Sequence, residues 1–77
     1  MAIVNNFRRM FLSYDKQPPH LVEIEKYGDF VLYSSNFNNL VYVVYNSKDS
    51  KYYPFENNGS NNIIGDLKKN IETYFGN

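Results

Sequence analysis

Without a single cysteine, this chain of 77 residues has neither a disulfide nor a thiolate metal cage to hold it together. A domain of this size buries only about 60–65% of the surface its unfolded form exposes. Small domains usually add disulfides, a metal, oligomerisation or very dense packing. The one histidine, His20, cannot build a site of several imidazoles. Dense packing or self-association is what remains. The composition supplies the material for packing: 14 aromatic residues, eight of them tyrosine. The expectation is one domain covering residues 1–77, with no metal and no cofactor.

Charge narrows the function classes. Eight basic residues balance eight acidic ones. Proteins that bind nucleic acid through phosphate contacts normally carry a basic excess, and this chain has none. No apolar run approaches the roughly 20 residues of a membrane-spanning helix. No basic segment followed by an apolar run marks a secretion signal at the start. A cytoplasmic location is therefore expected, in a host cell if the chain is phage-encoded. Asn, Lys, Ile, Tyr and Phe make up 37 of the 77 residues. Their codons are AT-rich, which associates the chain with low-GC bacteria and with the phages and mobile elements that live in them.

The spacing of Ile3, Phe7, Met10 and Tyr14, widened by Val4 and Phe11, predicts a first helix with Arg8 and Arg9 toward its polar side. Gln17-Pro18-Pro19 ends it, because proline disfavours helix in the residue before it. Leu21–Tyr27 alternates as a strand. Gly28-Asp29 then predicts a type II′ hairpin, with Gly at the first central position. The implied register sets Tyr27 against Phe30, Lys26 against Val31, Glu25 against Leu32 and Ile24 against Tyr33. One face then carries Val22, Ile24, Val31 and Tyr33. The other carries Leu21, Tyr27, Phe30 and Leu32 beside Glu23 and Glu25. Ser35–Asn39 reads as a turn and Leu40–Tyr45 as a central strand, apolar at every position. Lys51–Phe55 reads as a fourth strand, with Pro54 marking an edge. After the loop 56–62, Asn61 or Asn62 caps a helix over Ile63–Phe75, and Gly76 ends it. The expected fold is α+β: a four-stranded antiparallel meander flanked by N- and C-terminal helices, in the order α-β-β-β-β-α.

Chemistry-bearing motifs are absent. His20 has no acid, nucleophile or orienting partner named by the sequence, so it reads as a partly exposed strand-start residue. Glu23 and Glu25 are expected on one strand face about 7 Å apart by strand rise. No further oxygen ligands surround them, and a solvated strand face is the better reading. Ser34-Ser35 lacks a nucleophile-elbow context. Asn58-Gly59-Ser60 matches the glycosylation frame formally and reads as a turn. The basic groups Arg8-Arg9, Lys48 with Lys51, and Lys68-Lys69 fall on different elements and read as surface charge balance.

The aromatic excess carries the most weight. Two helices on one sheet face would leave the other face as an apolar, tyrosine-rich patch, and contiguous patches of that kind mark interfaces. The partner-binding residues expected on this basis are Tyr27, Phe30, Leu32, Phe37, Tyr52 and Tyr53. The functional expectation is a small non-catalytic protein-binding module, an inhibitor of a host system encoded by a phage or mobile element, with homodimerisation as a second use of the patch. The alternative is a single-stranded nucleic-acid binder that stacks bases on sheet aromatics beside helix-borne Arg and Lys. A small enzyme or ligand-binding domain is the remaining class, and no residue constellation supports it.

Overall fold

A computed structural model describes residues 6–76 of the chain. The elements are β1 (Phe7–Arg9), β2 (Leu21–Tyr27), β3 (Phe30–Ser35), β4 (Val41–Asn46), β5 (Lys51–Asn57) and α1 (Ile63–Phe75). The five strands form one antiparallel sheet in the order β1-β5-β4-β3-β2. This overturns the expected four-stranded meander with a helix at each end. The N-terminal segment supplies a strand, and α1 is the one helix among the described residues. Ile3 and Val4 of the expected first helix lie outside the described residues.

The reason lies in the pairing of β1 with β5, where Phe7, Arg8 and Arg9 sit opposite Asn57, Glu56 and Phe55. Three residues are too few to distinguish a period of 2 from one of 3.6. A ready strand edge then decides the outcome in favour of extended backbone. Phe7 is buried and meets Tyr42 edge-on at 5.5 Å.

Pro54 is also corrected. It lies in an interior strand, between β1 and β4. Met10 N donates to Pro54 O at 3.2 Å, so the backbone polar groups of Pro54 point toward β1. Having no N–H, proline cannot return that bond, and β1 stops there. Phe11 then turns away with left-handed backbone, φ 52°. Pairing resumes once, where Tyr14 and Tyr52 exchange two backbone bonds of 2.9 Å.

The hairpin turns on Gly28, whose φ of 60° an L side chain adopts at a cost. Tyr27, Lys26 and Glu25 face Phe30, Val31 and Leu32, but a bulge between Glu23 and Glu25 then sets Tyr33 opposite Glu23 instead of Ile24. The bulge bends β2, which forms an edge of the sheet, and blunts it against pairing with other chains.

Helix α1 covers one face. Leu67 and Ile71 pack on Leu32, Val44, Tyr53, Phe55 and Phe7, with Ile24, Tyr27, Phe30, Tyr42, Ile63 and Phe75 around this core. The second face carries Tyr33, Val43, Tyr45, Tyr52 and Pro54. The chain from Met10 to His20 runs from the β1 edge to the β2 edge, about 19 Å at normal strand spacing. It passes beneath this second face and buries Val43 and Pro54 there.

Candidate binding surfaces

The six residues expected to bind a partner are divided by the fold. Leu32 is fully buried and Tyr53 is in the core. Tyr27 and Phe30 are half-buried beside α1. The Tyr27 hydroxyl donates to Glu72 Oε2 at 2.5 Å, and the Phe30 ring lies 5.5 Å from that of Phe75. Tyr52 is on the opposite face, 4.5 Å from Tyr45 and 6.3 Å from Tyr33. Phe37 stands on the β3–β4 turn and is 72% exposed. The patch on Tyr27, Phe30 and Leu32 was expected from two helices packed side by side. The single helix occupies that face instead.

What the second face offers is a groove. Met10, Leu12, Tyr14, Pro18 and Pro19 of the crossing segment face Leu21, Val41, Val43 and Pro54 across a cavity of about 240 Å³, with Ser35 and Phe37 at its margin. Leu12, Tyr14, Phe37 and Leu40 are all exposed large apolar residues. His20, with φ 63°, lays its ring 4.2 Å from that of Phe37. Met10, Leu12 and Tyr14 read as helix in the sequence, so the groove was not foreseen. The usable signal was the Pro18-Pro19 pair, which forces an extended crossing exactly where an apolar second face needs cover.

Charge on this face is compensated. Arg8 pairs with Glu56, and Lys51 with Asp15 at 2.6 Å. Elsewhere Lys68 meets Glu25 at 3.2 Å and Lys48 meets Asp29 at 3.6 Å. The remaining lysines, Lys16, Lys26 and Lys69, are exposed and lie on three different segments. No basic track runs beside Tyr33, Tyr45 and Tyr52 for a phosphate backbone to follow. Glu23 and Glu25, expected on one strand face, are set on opposite faces by the bulge: Glu23 opposite Tyr33, Glu25 opposite Leu32. They make no carboxylate pair. Among the described residues no group of three or more His, Asp or Glu could hold a metal ion. No helix among them is long and apolar enough to cross a membrane.

A second hollow, about 400 Å³, lies between the hairpin tip and the end of α1, bordered by Tyr27, Asp29, Phe30, Asn46, Glu72 and Phe75. On its charged rim Lys48 meets Asp29, and Glu72 accepts from the Tyr27 hydroxyl.

Tyr53 lies under the last turn of α1. Burial first, and then its hydrogen bond to Asp49, push its hydroxyl up to about 12. Tyr33 is raised as well, chiefly by burial. A tyrosine whose folded pKa exceeds the unfolded value of about 10 favours the folded state below that pH. The advantage drains away as the unfolded chain ionises first. Stability should therefore decline between about pH 10 and 12, and Tyr53→Phe should flatten that decline. Thermal melts across the window check it. A wild-type midpoint that is level to pH 12 would contradict the assignment.

Comparison with known protein families, curated protein sequences and solved structures returned no match to this chain.

Proposed function

We propose that this chain is a small non-catalytic binding module that holds a protein partner against the second face of its sheet. One observation carries the reading: the apolar groove beneath the crossing segment is lined by exposed Leu12, Tyr14 and Phe37. Apolar surface left in water forfeits about 25 cal/mol per Å², so a contiguous patch of this kind calls for cover. Three prolines and residues of four strands wall the groove. Such rigid walls lose little entropy when a partner's apolar side chain enters. The compensated charge of the same face favours protein over single-stranded nucleic acid. The chain's small size and AT-rich residue usage support a narrower form of the reading, in which a phage or mobile-element protein inhibits a host protein by occupying its surface.

A photo-crosslinking residue placed at position 37 tests this against the same residue at position 69, on the exposed side of α1. A partner captured at 37 and not at 69 is the expected result. Leu12→Ser, added to the chain that carries the crosslinker at position 37, should keep the melting midpoint, since Leu12 is exposed, yet lose about tenfold or more in capture, equivalent to about 1.4 kcal/mol. Equal capture at both positions, or none at 37, would remove the groove from the function. Sedimentation equilibrium in parallel identifies the case in which the captured partner is a second copy.

A further inference from the structure

Arg9 is unlike the other cations of the chain. It stands opposite Phe55 on the helix face of the sheet, at the β1 edge. Its guanidinium carbon lies 5.3 Å from the ring centres of Tyr53 and Tyr74, 5.4 Å from Phe11 and 5.5 Å from Phe75. Four rings at this distance hold the cation by its attraction to their π faces and fix its side chain. Nε is buried without a hydrogen-bond partner, while Arg9 as a whole is only partly buried. Among the described residues no carboxylate lies within ion-pair distance of Arg9, although Arg8, Lys48, Lys51 and Lys68 all have one.

The rim of this cage is exposed and strained. Phe11 is 76% exposed, holds its left-handed backbone and meets Tyr74 edge-on at 6.4 Å. A phenylalanine in that conformation is strained, and such strain concentrates where a side chain is presented for use. Here it sets an aromatic ring at the mouth of an unpaired guanidinium.

We propose that Arg9 is a carboxylate receptor: its two Nη groups take an acidic side chain of the protein partner end-on, with Phe11 and Tyr74 packing on the apolar surface beside it. Guanidinium and carboxylate match as a two-bond fork, and prior immobilisation of the arginine by the rings removes most of the ordering cost. A single cation walled by apolar rings suits a monoanion. Phosphate groups are usually met by clustered cations, and no second cation stands within this cage. The inference rests on the binding-module reading for its partner, but the site is tested without one.

The chain has only two arginines, so Arg8, already paired with Glu56, is an internal control. Sodium acetate is titrated into the isotope-labelled full chain against sodium chloride at matched ionic strength, and the arginine side-chain N–H signals are followed. The expected result is a saturable shift of the Arg9 signal with acetate, with Arg8 moving only as in chloride. Arg9→Lys should weaken acetate binding at least about fivefold, because an ammonium cannot form the fork. Phe11→Ala, at an exposed position, should keep the fold and weaken binding as well. No acetate response beyond chloride, an equal response at Arg8, or tenfold tighter binding of inorganic phosphate would each overturn the proposal. A failed titration leaves the position-37 crosslink unaffected, so the two readings fail separately.

Discussion

Truncating Phe55 to Ala should lower the melting midpoint by at least about 12 °C, taking roughly 4 °C per kcal/mol for a chain of this length. Phe55 is fully buried in the middle of β5, between β1 and β4. Its ring meets the Tyr74 ring at 6.0 Å, so it joins sheet to helix as well as strand to strand. Removing a buried phenylalanine costs about 3–5 kcal/mol through lost transfer energy and the cavity left behind. A chain of 77 residues has about 4–12 kcal/mol of stability in total. The variant therefore loses a large share of that stability, and at the low end of the range it unfolds at room temperature. Leu67→Ala, fully buried on the facing side of α1, should cost about 2–5 kcal/mol for the same reason. Denaturant melts with unchanged slope check both. If neither midpoint moves by more than a few degrees, Leu67 and Phe55 are not the centre of the core.

The parts of the fold that were readable in the sequence are those set by local chemistry. Ile63–Phe75 carries a helical period for 13 residues, and Gly28 supplies the positive φ that the hairpin turn requires. What could not be read was set by contacts distant in sequence. β1 exists because Arg8 and its neighbours meet a strand about 48 residues later. Phe7, Met10 and Tyr14 are spaced like a helical stripe, yet they serve the core, the groove mouth and a lone bridge to Tyr52. Pro54 carries an edge signal, but its missing N–H faces the point where β1 ends, so an interior strand accommodates it. The bulge at β2 reverses the facing of residues beyond it, which no alternation pattern predicts. For the site, the aromatic excess was legible as composition. Its division between core, groove and the Arg9 cage depends on which face the helix takes and on the path of residues 10–20.

The second large effect is expected at Asp66, where one carboxylate ties three segments together. It lies buried in the first turn of α1. Its Oδ2 accepts from Ser60 Oγ at 2.7 Å and from Asn6 Nδ2 at 3.3 Å. Ser60 is held in turn by Asn57, whose Oδ1 accepts from Ser60 N at 2.7 Å, and Asn58 N donates to Asn6 O at 2.7 Å. The helix start, the loop after β5 and the entry to β1 therefore share this anchor. A negative charge there also suits the positive end of the helix dipole. Asp66→Ala leaves the Ser60 hydroxyl and the Asn6 amide without their acceptor in a part-buried site. The expected loss is about 2–4 kcal/mol, most of it the cost of stranded polar groups. Asp66→Asn keeps one acceptor oxygen and removes the charge, so it should fall between wild type and Ala. Hydrogen exchange should show the amides of β1 and of residues 57–62 opening before those of β3 and β4, because the anchor fastens only the former to the helix. A uniform rise in exchange across the whole sheet, or an Asp66→Ala loss below about 0.5 kcal/mol, would show that the three segments are held by packing alone.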